Sequence, residues 1–194
     1  VIDKNNTQIM YLATGDAYAL GTYSVGLLKT TDGGSTWNTT GLSLKLPAKK
    51  QIGKVLIDPT NSNTLYVAST GGVYKSTDGG TTFTISLAGT FKDIEFQPGT
   101  PTTLYVCGNE FYRTTNSGTA WTKITAVLPA AASCQRMAIA VSDASPTTVY
   151  LVAVNITPNY DLQGLYKSTN SGASFTKLTV SPANTPNTDP YGII

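Results

Sequence analysis

One eight-residue pattern occurs four times along the chain and constrains its fold more than any other feature. Each copy has Ser or Thr first, Asp or Asn third, Gly fifth, and Trp or Phe last. The copies occupy residues 30–37, 76–83, 114–121 and 168–175. Their Asp or Asn positions lie 46, 38 and 54 residues apart, which indicates a tandem array of similar structural units.

Short apolar runs precede each copy, such as residues 65–68 and 72–75 before the second one. Gly, Pro, Asn and Asp bound these runs, which is typical of strands joined in hairpins. For the second unit we predict strands at about 52–57, 64–69, 72–76 and 82–86. Four such strands in a repeat of this length predict an all-β fold, a β-propeller of four-stranded antiparallel blades.

The repeats are predicted at about residues 1–46, 47–90, 91–133 and 134–180, within one propeller domain or partial propeller. Residues 181–194 are a tail or the start of a further blade. The first repeat begins inside a strand, because residues 1–3 match residues 56–58 of the second repeat. We therefore expect about four blades that form part of a larger ring, with a closed four-bladed disc as the alternative.

Each pattern copy is predicted to form the tight turn between the third and fourth strands of its blade. The Asp or Asn side chain accepts hydrogen bonds from nearby backbone N–H groups, and Gly supplies a positive φ. The aromatic residue begins the next strand and packs against the turn. The residues given this structural role are Asp32, Gly34, Trp37, Asp78, Gly80, Phe83, Asn116, Gly118, Trp121, Asn170, Gly172 and Phe175.

Composition excludes several kinds of site. The chain has no His, so it cannot supply a Ser-His-Asp triad or a His-ligated metal site, and no metal or cofactor is expected. A net charge of +2 with 12% charged residues gives no basic surface for nucleic acid. Cys107 and Cys134 are expected to be two separate buried thiols, with a disulfide as the alternative.

The eight-residue pattern resembles the Asp-box, or bacterial neuraminidase repeat, S/T-x-D/N-x-G-x-S/T-W/F. Three copies fit it fully, and the third has Ala120 where Ser or Thr is usual. The amino-acid sequence of the first two copies and their flanks is similar to that of large secreted bacterial proteins with xyloglucanase-like or sortilin-like propellers. This resemblance implies that the turns are structural and that ligands bind at the opposite end of the blades.

Two loop insertions lie at that opposite end, at residues 15–24 and 155–163, and each carries tyrosine and a carboxylate. Tyrosine faces with Asp and Asn acceptors suit sugar rings, which present apolar faces and hydroxyl edges, although the loops can equally serve as covers for the blade ends. The candidate ligand-binding residues are Tyr18, Tyr23, Glu110, Arg136, Asn155, Tyr160 and Asp161.

Asp16 is the candidate catalytic residue, because the resemblance to xyloglucanases includes an Asp just after a comparable strand. Glycoside hydrolysis needs two carboxyl groups, and the other candidates at that end of the blades are Glu110 and Asp161. Asp161 would be far from Asp16 in a wide ring and its neighbour in a closed four-bladed disc. Sialidase activity is excluded, since that resemblance requires three arginines and the chain has only Arg113 and Arg136. Arg113 is expected to be an exposed strand residue.

These observations favour a non-catalytic, secreted bacterial module that recognises a polysaccharide or an extracellular protein. One alternative is a fragment of a xyloglucanase-like glycoside hydrolase with part of its active site outside this chain. Another is a sortilin-like propeller that binds peptides, by strand addition inside the ring. Further domains or blades of a longer parent protein are expected partners; nucleic acid and a membrane segment are not.

Overall fold

Four antiparallel β-sheets follow one another along the chain, and each sheet joins its strands in chain order. The structure, a computed structural model, describes residues 1–15, 22–156 and 161–179. Blade 1 contains β1 (Met10–Ala13), β2 (Gly26–Thr30) and β3 (Asn38–Ser43). Blade 2 contains β4 (Ile52–Asp58), β5 (Asn61–Ser69), β6 (Gly72–Ser76) and β7 (Thr84–Leu87). Blade 3 contains β8 (Asp93–Gln97), β9 (Thr100–Cys107), β10 (Phe111–Thr114) and β11 (Thr122–Ile124). Blade 4 contains β12 (Cys134–Val141), β13 (Val149–Asn155), β14 (Leu162–Ser168) and β15 (Thr176–Leu178).

The four strands predicted for the second repeat are confirmed, with ends that differ by at most a few residues. Residues 1–2 extend the sheet of blade 1 beyond β1, at the place of the end of a first strand, because Ile2 pairs with Met10 and the Tyr11 N–H donates to the Val1 carbonyl at 2.9 Å. Among the described residues, hydrophobic clusters join blade 1 to blade 2, blade 2 to blade 3 and blade 3 to blade 4, and none joins blade 4 to blade 1. The fold is therefore a partial β-propeller of four blades.

The hydrophobic core lies between successive blades rather than inside one of them. Three clusters fill the spaces between blades 1 and 2, 2 and 3, and 3 and 4. Strands β5 and β9 lie between two blades, and their C-terminal halves are buried on both faces. Strand β13 has the alternating burial of a strand that is covered on one face only.

A tyrosine–lysine cross-strand pair occurs in blades 1, 2 and 4, and in blades 1 and 2 it contacts the turn of the next blade. Tyr11 pairs with Lys29, and Tyr66 with Lys75. The Tyr11 hydroxyl and Lys29 Nζ both donate to the Gly79 carbonyl, at 3.0 and 2.8 Å.

Blade 2 repeats this contact on blade 3. The Tyr66 hydroxyl and Lys75 Nζ both donate to the Ser117 carbonyl, at 2.9 and 2.7 Å. Burial raises the pKa of both Tyr11 and Tyr66 to about 12, so these hydroxyls remain protonated donors near neutral pH.

Blade 3 varies this contact. Tyr105 pairs with Arg113 and lies against Gly172 of the fourth turn. The expectation that Arg113 is exposed is wrong: the residue is half-buried, and its buried Nε has no hydrogen-bond partner among the described residues. Arg113 pairs with Tyr105 on the side of the sheet that packs against blade 4, so this side is covered and does not face solvent.

Candidate functional site

The blades present two ends with different chemistry. The four turns at 30–37, 76–83, 114–121 and 168–175 form one end, called here the Asp-box face. The loops β1–β2, β5–β6, β9–β10 and β13–β14, with the connections between blades, form the other end, called the loop face. The two sets of loops alternate along antiparallel strands, so they lie at opposite ends of each blade.

On the Asp-box face, each carboxylate or amide binds within its own turn. The Asp78 side chain accepts from the Thr82 N–H at 2.9 Å, the Thr82 hydroxyl at 2.6 Å and the Ser76 hydroxyl at 2.8 Å. These bonds, with that of the Thr82 hydroxyl the largest, lower the pKa of Asp78 to about 2. A similar set of hydrogen bonds lowers the pKa of Asp32, and the bond from the Thr30 hydroxyl has the largest effect.

The Asn turns differ from the Asp turns, and from each other, in the hydrogen bond between the side chain at the third position and the hydroxyl of the seventh residue. Asn170 Nδ2 donates to the Ser174 hydroxyl at 2.8 Å. In the third turn Ala120 has no hydroxyl. Its N–H donates to Asn116 Oδ1 at 2.9 Å, and the Thr114 hydroxyl donates to the same oxygen at 2.8 Å.

The predicted positive φ of the fifth-position glycines is confirmed in all four turns, with values from 74° to 96°. In every turn the residue before this glycine also has a positive φ, including Ser117 at 55° and Ser171 at 57°, which the sequence pattern did not predict.

The turn aromatics have different surroundings. Phe175 is buried and packs edge-on against Phe111, with ring centroids 5.0 Å apart. Trp121 Nε1 donates to the Ser86 hydroxyl at 2.9 Å. Trp37 remains 38% exposed, and its Nε1 donates to the Gly34 carbonyl of its own turn at 3.1 Å.

On the loop face, a cavity of about 280 Å³ lies between blades 3 and 4. Its polar side comprises Glu110 and Lys123, which form an ion pair. The Tyr112 hydroxyl donates to the other oxygen of Glu110 at 2.9 Å. Its apolar wall comprises Phe111, Ile124, Leu128, Pro129, Ala130, Ala131 and Met137. An apolar wall with a few convergent polar groups is the usual character of a small-ligand site.

Glu110 is held in its charged form. The Lys123 hydrogen bond, the largest effect, lowers the pKa of Glu110, and burial opposes this only in part. A carboxylate with a lowered pKa accepts hydrogen bonds from hydroxyl groups at neutral pH. It does not meet the requirement of a general acid, which must carry a proton at the working pH.

A second group of charged residues, which the sequence pattern did not predict, links the first strands of blades 2, 3 and 4. Lys54 Nζ contacts Asp93 at 3.1 Å and Glu95 at 2.5 Å. The other oxygen of Asp93 accepts from the Ile139 N–H at 2.8 Å, which joins blade 4 to the group. The signal in the sequence that could have indicated this group is the presence of charged residues in otherwise apolar first strands. Their mutual pairing indicates a role in blade packing.

The predicted ligand-binding residues occupy several places. Arg136, Asn155 and Asp161 lie together at the loop-face end of blade 4, where the Asn155 N–H donates to the Asp161 carbonyl at 2.9 Å. Glu110 lines the cavity described above. Tyr23 is half-buried in the β1–β2 loop of blade 1.

Three of the predicted site residues, Asp16, Tyr18 and Tyr160, lie outside the described residues. Their roles, like those of the other candidate ligand-binding residues, remain predictions.

Cys107 and Cys134 are both free and buried, as expected. Cys107 Sγ donates to the Met137 carbonyl at 3.3 Å, and burial raises the pKa of this thiol well above its usual value. Within the described ranges no cluster of three or more potential metal ligands occurs. The same ranges contain no helix with the length and apolar character needed to cross a membrane.

Known proteins share this architecture. A xyloglucanase from Hypocrea jecorina (strain QM6a) is 31% identical over 180 residues, which cover 90% of this chain and 20% of the xyloglucanase. The GH74 enzyme from Niastella koreensis superposes with a TM-score of 0.67 and 24% identity, over 95% of this chain and 30% of the enzyme. YCF48 from Cyanidioschyzon merolae superposes with a TM-score of 0.58 and 14% identity, over 94% of this chain and 56% of YCF48.

The two structural likenesses establish the fold alone, because their identities are low. The chain spans about a fifth of the xyloglucanase, so the activity of that whole enzyme does not transfer with the match. A family sequence model matches residues 4–139, well over half of the chain. The chain therefore belongs to the family described as photosynthesis system II assembly factor YCF48.

Proposed function

We propose that the chain is a non-catalytic recognition module of a secreted bacterial protein and that it binds a polysaccharide on its loop face. The observation that carries the proposal is the cavity between blades 3 and 4. A charged Glu110 held by Lys123 can accept hydrogen bonds from sugar hydroxyls, and the apolar wall suits the C–H face of a sugar ring. The xyloglucanase relative supports a polysaccharide as the ligand class.

The test is a binding screen of the purified chain against plant and bacterial polysaccharides, xyloglucan included, with release of reducing sugar measured in parallel. We expect binding without release. Glu110→Ala removes a charged acceptor, so affinity should fall about tenfold or more. Glu95→Ala is the matched control, because it breaks a similar lysine ion pair outside the cavity and should leave binding unchanged. Loss of binding with Tyr18→Ala or Tyr160→Ala would extend the site to the two loop insertions.

A second candidate is glycoside hydrolysis by a larger protein of which this chain forms a part, favoured by the same relative. Sugar release that Asp16→Ala abolishes would establish an enzyme and overturn the non-catalytic proposal.

Recognition of a protein is a third candidate, favoured by the family match, since the family description names an assembly factor. Absence of both binding and release across the screen would reject the polysaccharide proposal in favour of such a partner. Secretion is tested separately, by fractionating cells that express the native gene and locating the protein with an antibody.

A further inference from the structure

Val127 has a backbone conformation that its own side chain opposes. Its φ is 68°, in the left-handed region, which is costly for a β-branched residue because the Cβ crowds the backbone. In the other described non-glycine residues with a positive φ, the backbone N–H donates to a carbonyl, as Lys49 does to Leu46 at 3.0 Å. Among the described residues, Val127 has no such hydrogen bond.

The fold itself does not require a side chain at position 127. Glycine adopts such a φ without strain, whereas a strained valine lowers the stability of the chain. Val127 returns little of that cost through packing, because it is 58% exposed and belongs to none of the described hydrophobic clusters. Residues held in a strained conformation are concentrated at active sites and ligand clamps, so the exposed side chain points to binding.

Val127 stands at the rim of the cavity between blades 3 and 4. It lies between Thr125 and Leu128 in the chain, and both of these residues line the cavity. The chain is held on both sides of it, because β11 ends at Ile124 and Leu128 is buried in the core cluster. The side chain is therefore positioned before a ligand arrives, which lowers the entropic cost of binding.

The size of the cavity leaves most of a polysaccharide outside it. A volume of about 280 Å³ is close to the lower end of the range for small-ligand sites, about 300–1,000 Å³. A short part of the polymer therefore enters, and the adjoining part must cross the rim. There the isopropyl group of Val127 offers an apolar contact to the C–H face of a sugar ring.

From this arrangement we infer that Val127 is a ligand-binding residue outside the cavity lining. One sugar unit enters the cavity and donates hydrogen bonds to Glu110, and the next unit along the polymer packs on the Val127 side chain. The site thus recognises linked sugar units and not a single sugar. The inference rests on the proposed function and adds a binding residue to the same site.

The test measures the affinity of Val127→Gly by isothermal titration calorimetry against xyloglucan and against each other polysaccharide of the screen that the wild type binds. The variant should bind about fivefold more weakly, as expected when part of the apolar burial of one valine is lost. Val127→Ala, which keeps a Cβ at this φ, is the second variant and should weaken binding to a similar degree.

Lys49→Gly is the matched control, because it also removes an exposed side chain from a positive-φ position on the loop face. It should bind as the wild type does. Val127→Gly relieves the backbone strain, so its urea unfolding midpoint should be no lower than that of the wild type. Weaker binding by a variant of unchanged or higher stability reports a lost contact and not unfolding.

Wild-type affinity in Val127→Gly or Val127→Ala overturns this inference and leaves the proposed function in place. Equal weakening by Lys49→Gly also overturns it, because the effect then does not depend on the rim of the cavity. A wild type that binds no polysaccharide of the screen overturns the proposed function, and this inference with it.

Discussion

At the scale of single residues, the Asp-box face offers an internal comparison between carboxylates and amides. Asp32 and Asp78 have lowered pKa values, whereas Asn116 and Asn170 hold the equivalent turns without a titratable group. Both side chains close the turn, because the oxygen that accepts the backbone N–H is common to them. Only the carboxylate turns should therefore respond to acid.

The pKa of Asp78 is about 2 in the folded chain and 3.8 in its unperturbed form, so this residue stabilises the fold above about pH 4. That contribution is lost as the pH falls through the folded value. The double variant Asp32→Asn with Asp78→Asn should lose less stability than the wild type between about pH 5 and about pH 2. Urea unfolding midpoints across this range measure the difference, and equal acid sensitivity in both proteins would contradict it.

At the scale of elements, the second strand of each blade is defined by what covers it. Strand β5 is buried on both faces between blades 1 and 3, whereas β13 is covered on one face. The same tyrosine position is therefore a core residue in one blade and a surface residue in another.

Tyr66→Phe removes a hydroxyl that donates to the Ser117 carbonyl, so it should lower the free energy of unfolding by about 1 kcal/mol. Tyr150→Phe makes the same chemical change at an exposed position and should leave stability within about 0.5 kcal/mol of wild type. Denaturant unfolding of the two variants and the wild type measures both changes in the free energy of unfolding. Equal losses would show that contact with the next turn is not the source of the effect.

At the scale of the whole molecule, stability depends on contacts between neighbouring blades, since the core clusters lie between them. Gly53 on β4 marks one such close approach. A Cβ there would lie 2.1 Å from the Lys92 carbonyl oxygen, on the chain entering blade 3.

Gly53→Ala should therefore cost about 3 kcal/mol, because the Cβ meets backbone atoms of Lys92, which cannot turn aside as a side chain can, and the blades must separate. Gly99→Ala, whose Cβ meets nothing within 4 Å, should cost only about 1 kcal/mol for its positive φ. Thermal and denaturant unfolding measure both. A near-wild-type Gly53→Ala would show that the chain entering blade 3 moves aside at little cost.

The sequence could predict the position of Glu110 in the candidate site, but not which residues contact it. Glu110 could be placed on the loop face because it follows the second strand of its repeat. Its pairing with Lys123 depends on the register between β10 and β11, and its apolar wall comes from the chain entering blade 4. Lys54, Asp93 and Glu95 come from two blades, so no local pattern could join them.

The sequence by itself determined the unit: four strands, a turn closed by Asp or Asn, and a glycine with positive φ. These features are local, because period-two apolar runs and turn residues act over a few positions. Only the tertiary structure decided which face of each strand is covered, because that depends on contacts between residues of neighbouring repeats. It thus buried Tyr66, left Tyr150 exposed, and turned Arg113 from an expected surface residue into a half-buried one.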